Sequence, residues 1–134
     1  GLADDQQREK RRALVVEDNA NERELLAGYL RLCGYEVDTV QDGIDAMLYL
    51  ANHEERPDVV LLDMQMPRMD GPNTINAIRS NPEYGDIKIF AVSGSERAAL
   101  GVSVNHEVGV DRWFSKPLQP ADFADELGRA CLSH

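Results

Sequence analysis

Three carboxylates, a hydroxyl and an ammonium each stand at or near the end of a short apolar run in this 134-residue chain. Glu17-Asp18 ends Ala13-Leu14-Val15-Val16, and Asp63 ends Val59-Val60-Leu61-Leu62. Ser93 ends Ile87–Val92, and Lys116-Pro117 comes just after Val110–Phe114. If the runs are neighbouring strands of one parallel sheet, these groups meet at one edge. Carboxylates crowded together repel and need a cation, and Mg2+, which prefers oxygen ligands and keeps several waters, suits such a set. Lys116 offers a positive point charge to an incoming dianion, and Ser93 offers a hydrogen bond to a phosphate oxygen. A carboxylate can act as a nucleophile and form an acyl phosphate. The residues therefore contain what is needed to receive a phosphoryl group. The patterns that would cradle a nucleotide (GxxxxGK(S/T), GxGxxG after a strand, HRD with DFG) are absent from the sequence, so the group must come from another molecule.

The elements that would position these residues alternate along the chain. Continuous apolar runs suit buried strands of a parallel sheet. Between the first and second runs, Leu25, Leu26, Tyr29, Leu30 and Leu32 recur at helical spacing over Ala20–Leu32, and Gly34 reads as the helix stop. Tyr35–Val40 alternates as a second strand. Asp42-Gly43 marks a turn, and Ile44, Ala46, Met47, Leu48 and Leu50 form a second helix. Ile75 and Ile78 belong to a third helix. Residues 96–108 make a weak fourth, because Gly101, Val102 and Val104 are poor helix formers. Pro120 precedes a last helix carrying Phe123, Leu127, Ala130 and Leu132. Five strands alternating with five helices imply a parallel sheet covered on both faces. Functional groups in such sheets collect beyond the carboxyl ends of the strands, at the switch point of the winding order. A strand order of 2-1-3-4-5 would make the first and third strands neighbours there.

Composition narrows the function classes. The chain is 43% hydrophobic, 28% charged and formally −10, which disfavours direct contact with nucleic acid. No apolar run approaches the roughly 20 residues of a membrane span, and no secretory leader is expected. Cys33 and Cys131 form no CxxC pair and read as reduced, packed thiols. Taken singly, most of the candidate residues have plainer explanations. Asp63 alone reads as a cap, Glu17-Asp18 equally as acids favouring a helix start, and Ser93-Gly94-Ser95 as a capping turn. Lys116 alone reads as a surface lysine. Met64, Met66 and Met69 read as loop packing, and His53, His106 and His134 as surface histidines. One of Trp113 and Phe114 should pack in the core. Only the joint pattern favours phosphoryl chemistry.

That joint pattern resembles the receiver family of two-component response regulators, from about Arg12 to Cys131. Asp63-Met64-Gln65-Met66-Pro67-Arg68-Met69-Asp70-Gly71 is similar to the family's phosphoacceptor loop, DxxMPxMDG, at each defined position. Glu17-Asp18 stands where the family has metal-binding acids, Ser93 where it has Thr or Ser, and Lys116-Pro117 where it has Lys-Pro. The resemblance implies that Asp63 is phosphorylated and that Asp18 binds Mg2+ directly while Glu17 acts through water. It also implies that the Gln65 carbonyl completes the protein's share of the metal shell, with Mn2+ able to substitute. Lys116 would contact the phosphate, oriented by a cis bond to Pro117, a recurring feature of proline. Ser93 would swing toward the phosphate, and the aromatic three residues before the lysine would follow. That aromatic is Trp113, where the family usually has Tyr or Phe; Gly94 stands where Ala is more usual. Gln65 and Ser95 would line the path of attacking water and tune the lifetime of the phosphate.

The resulting expectation is a flavodoxin-like (βα)5 three-layer α/β domain over residues 12–132, preceded by a charged tail or linker over 1–11. It would be a cytoplasmic signalling switch that takes a phosphoryl group from a sensor histidine kinase or a histidine phosphotransfer domain. Its surface would change for a downstream effector, on the side of the fourth helix and fifth strand. Apart from its own phosphorylation and dephosphorylation it would not be an enzyme, and it would contact neither nucleic acid nor membrane. Two other readings compete. A Mg2+-dependent phosphohydrolase with an Asp nucleophile would usually carry DxD after the first strand and a cap segment. A pseudo-receiver that only binds partners would have damaged acids or a lost lysine.

Overall fold

The computed structural model describes residues 11–64, 71–93, 109–115, 119, 121, 124–125 and 127–128. Its strands are β1 (Arg12–Val16), β2 (Glu36–Val40), β3 (Val59–Asp63), β4 (Lys88–Ser93) and β5 (Arg112–Ser115). Its helices are α1 (Ala20–Leu32), α2 (Gly43–Asn52) and α3 (Gly71–Arg79), with a 3-10 turn at Pro82–Tyr84. Helical backbone is described again at Ala121, Ala124, Asp125, Leu127 and Gly128. The expected fourth helix, residues 96–108, lies outside the described residues.

All five strands run parallel in the order β2-β1-β3-β4-β5. This is the flavodoxin-like arrangement expected, with helices on both faces. Every residue of β3 is buried, because a central parallel strand is covered on both sides. Alternate side chains feed two cores. Ala13, Val15, Val59, Leu61, Phe90 and Phe114 meet Leu26 and Leu30 of α1, together with Leu127. Leu14, Val16, Val60, Leu62, Ile89 and Ala91 meet Ala46 and Leu50 of α2 and Ile75 and Ile78 of α3. Among the described residues, no helix is long and apolar enough to cross a membrane.

Local chemistry sets the element ends. Asn19 caps α1 by accepting from the Glu22 N–H at 2.9 Å, and Asp42 caps α2 by accepting from the Asp45 N–H at 2.8 Å, each satisfying a donor the first turn leaves open. Gly34, at φ +94°, ends α1 as expected, since the left-handed region is cheap only for glycine. Tyr35 donates its N–H to the Leu30 carbonyl, so β2 begins at Glu36 instead of Tyr35. β4 starts one residue later than its apolar run and takes in Ser93. β5 starts at Arg112, two residues after Val110, because Gly109 holds φ +106° and delays the extended backbone. The 3-10 turn was not anticipated, although Asn81-Pro82 carries its signal: the Asn81 side chain caps it and proline opens it.

The approach of α3 to β3 depends on Gly71. A Cβ there would stand 2.5 Å from the Met64 Cα and 2.7 Å from its Sδ, distances that backbone cannot accommodate without moving. Gly71→Ala should therefore destabilise the fold by about 1–3 kcal/mol, the usual overpacking cost, measured by urea unfolding. Asp42→Ala should cost about 1 kcal/mol by losing its cap, and Asp42→Asn much less, because the amide oxygen still accepts.

Candidate phosphoryl-acceptor site

Strand register brings the acids together. Val16 of β1 pairs with Leu62 of β3, so Glu17 and Asp63 are side by side one residue further on. Carboxylate oxygens of Glu17, Asp18 and Asp63 all lie within 4.8 Å of one another. Glu17 is 1% exposed and Asp63 4%, while Asp18 faces solvent. At an effective dielectric of about 20, two ionised carboxylates that close repel by roughly 3 kcal/mol or more. All donors are hard oxygens, so the set fits a hard divalent cation such as Mg2+ and not a soft one.

The surrounding backbone holds the acids in place. The Glu17 N–H donates to the Val40 carbonyl at 3.2 Å, continuing the β1–β2 ladder past the end of the strand. The Asn19 N–H donates to the Glu17 carboxylate at 3.4 Å. Arg23, in the first turns of α1, donates to the Glu17 carbonyl at 2.9 Å and reaches the Asp18 carbonyl at 3.5 Å. Sequence reasoning missed this arginine. Its signal is a cation near a helix N-terminus, where the dipole disfavours positive charge and a compensating partner is therefore expected. Asp63 is the last residue of β3, and the next N–H, of Met64, donates to the Val92 carbonyl at 2.9 Å. Asp63 pairs with Val92, so Ser93, 2% exposed, ends β4 one residue beyond the partner of Asp63.

The remaining site residues divide between described and undescribed positions. Trp113 pairs with Ala91 in β5 and packs, half-buried, on the α2–α3 core. Its Nε1 is buried and has no hydrogen-bond partner among the described residues. Phe114 faces the other core, edge-on to Phe90 at 5.8 Å between ring centroids. One of the two, Phe114, is thus a core residue, as expected, while Trp113 rests half-buried on the other face. Gln65, Ser95, Lys116 and Pro117 lie outside the described residues, as do Gly94, Met66, Met69 and His106. His53 is exposed, as expected, and stacks on Tyr49 at 3.8 Å. Cys33 is a partly buried thiol packed against the α1 core.

Comparison with known proteins agrees with this geometry. The family model for the response regulator receiver domain matches residues 13–127. A probable transcriptional regulator, ycf27, of Guillardia theta is 34% identical over 123 residues, which is 92% of this chain and 46% of that protein. The chain thus spans about half the length of such a relative. Among solved structures, chemotaxis response regulator CheY4 of Vibrio cholerae superposes with a TM-score of 0.79 at 28% identity, covering 90% of this chain and 98% of that one. The receiver domain of sensor histidine kinase PA1611 from Pseudomonas aeruginosa PAO1 has a magnesium ion coordinated in its active site cleft. It superposes with a TM-score of 0.77 at 27% identity, covering 90% of this chain and 96% of that one. With its acids gathered at the ends of β1 and β3 and the family model matched over most of its length, this chain belongs to the response regulator receiver family.

Proposed function

We propose that this domain is a phosphoryl-accepting signalling switch in which Asp63 takes the phosphoryl group. The observation that carries the reading is the convergence of a buried Asp63 with Glu17 and Asp18 at the carboxyl ends of adjacent parallel strands. Asp63 is fixed on a central strand, so its carboxylate can be aimed along one line of attack. An oxygen of that carboxylate attacks phosphorus of a phosphohistidine on a sensor kinase or phosphotransfer partner. The N–P bond breaks, the imidazole leaves, and an acyl phosphate remains on Asp63. Asp18, Asp63, Glu17 and the Gln65 carbonyl would hold Mg2+, or Mn2+ in its place, which would supply charge neutralisation for the phosphate oxygens. Lys116 contacts the phosphate, and a cis bond to Pro117 would orient it. Water later hydrolyses the acyl phosphate, with Gln65 and Ser95 setting its access.

The domain is a switch and does not turn over a substrate. Ser93 moves toward the phosphate and Trp113 follows, biasing an existing equilibrium of surfaces on the β5 side. A downstream effector, as a separate protein or another part of a longer one, reads that surface in the cytoplasm.

Incubation with acetyl phosphate followed by intact-mass analysis tests the reading. One phosphoryl group should be gained with Mg2+, none after chelation with EDTA, and none in Asp63→Asn. No gain at any donor concentration would leave a pseudo-receiver. Continuous turnover of phosphate esters would identify a phosphohydrolase. A gain surviving Asp63→Asn would place the acceptor elsewhere. Among phosphorylated species, joint substitution of Gln65 and Ser95 should change the dephosphorylation rate; an unchanged rate removes them from the water path.

A further inference from the structure

We propose that Arg79 is a positioning residue for phosphoryl acceptance, acting through a clamp on β5; the proposal rests on the receiver reading above. Among the described residues, strand β5 has four residues and pairs only with β4, so few ladder bonds define its register. A slip of one residue would exchange Trp113 and Phe114 between the two cores. It would also shift Ser115, and Lys116 next to it in sequence, by about 3.3 Å along the strand.

Asp111 opposes such a slip by gripping Ile89 from both sides. Its N–H donates to the Ile89 carbonyl at 2.8 Å, and its carboxylate accepts the Ile89 N–H at 2.8 Å. Arg79, the last residue of α3, locks that carboxylate. Its Nη2 donates to the same Asp111 oxygen at 3.1 Å and its Nε to the Gly109 carbonyl at 3.0 Å. Two donors of one guanidinium thus span the turn into β5, a fork that lysine cannot reproduce. The pair is open to solvent, with the Asp111 side chain 36% exposed, so the grip depends on the geometry of the fork more than on charge. Gly109 makes the approach possible: besides its positive φ, a Cβ there would stand 2.9 Å from the Arg79 Cγ and 3.1 Å from the Ile75 Cγ2.

The same helix begins at Gly71, pressed against Met64 next to Asp63. Nine residues of α3, about 13 Å of rigid helix, therefore join the acceptor end of β3 to the entry of β5. The clamp sits at the amino ends of the strands, far from the acids, and touches none of them. Its loss should disturb the lysine and leave the metal-binding acids alone, whereas general loosening of the fold would disturb both.

The test compares wild type, Arg79→Gln and Arg79→Lys, with folding checked by circular dichroism. Mg2+ affinity is measured by calorimetry, and the rate of phosphoryl gain from acetyl phosphate at saturating Mg2+ by time-resolved intact mass. Arg79→Gln should slow acceptance about 10- to 100-fold, the scale expected for misplacement by an ångström or more, with Mg2+ affinity unchanged. Arg79→Lys should recover part of the rate. Equal rates in wild type and Arg79→Gln overturn the clamp alone. Rate and Mg2+ affinity falling together also overturn it, in favour of general destabilisation. Should Arg79→Gln not fold, Asp111→Asn keeps an acceptor for the Ile89 N–H, removes the charge that Arg79 holds, and carries the same comparison. A wild type that gains no phosphoryl group overturns the receiver reading itself, and the clamp with it.

Discussion

Mutual repulsion among Glu17, Asp18 and Asp63 is the constraint that the rest of the structure must meet. Their oxygens lie within 4.8 Å of one another, and two of the three residues are buried. Left to itself, a flexible loop would separate such groups. Here they are carried by the ends of two paired strands, and the positions are set by ladder hydrogen bonds that cannot shift by less than a residue. The acids are thus held together by the fold, and a cation binding them would meet like charges already gathered.

Holding that arrangement requires a core on both sides of the sheet. Side chains of β1 and β3 alternate between the α1 layer and the α2–α3 layer, so neither strand can move toward one face without opening a void on the other. The loop between β1 and α1 is tied down as well. The Asn19 side chain caps the helix while its N–H meets the Glu17 carboxylate, and Arg23 gathers the carbonyls of Glu17 and Asp18. Polar groups that serve the helix start therefore also orient the acids.

Much of this was legible in the sequence, for a physical reason. Buried parallel strands need unbroken apolar runs, so Val59–Leu62 and Leu14–Val16 announced themselves, as did the polar residues that stop them. The span of α1 matched its apolar periodicity at both ends, because Gly34 and the Asn19 cap are local signals. Less legible were features set by distant partners. The start of β5 was misplaced because its boundary depends on Gly109 and on Asp111 bonding Ile89, contacts across 22 residues. Which of Trp113 and Phe114 enters the core depends on which helix covers each face of an edge strand. Arg23 and Arg79 passed unnoticed because an arginine on a helix reads as solvated surface until its carbonyl partners are known. Gly71 was legible as part of the acceptor-loop motif, but the reason for it, contact with the Met64 backbone, belongs to packing.

The sheet also divides its labour by position. Asp63 sits on β3, at the centre, where burial on both faces and neighbours on both sides give the least freedom. Trp113 sits on β5, at the edge, with one strand neighbour and a half-buried ring whose Nε1 lacks a partner among the described residues. Chemistry that depends on fixed charges belongs on the strand that cannot move. A response that must change the surface belongs on the strand with the fewest bonds to break. Between them stands β4, which carries Ser93 and pairs with both, so on the reading proposed above a displacement of Ser93 would reach the edge strand through its own ladder. On that reading the order β1-β3-β4-β5 runs from strands held on both sides to the strand held on one, and a phosphate signal would follow the winding of the chain.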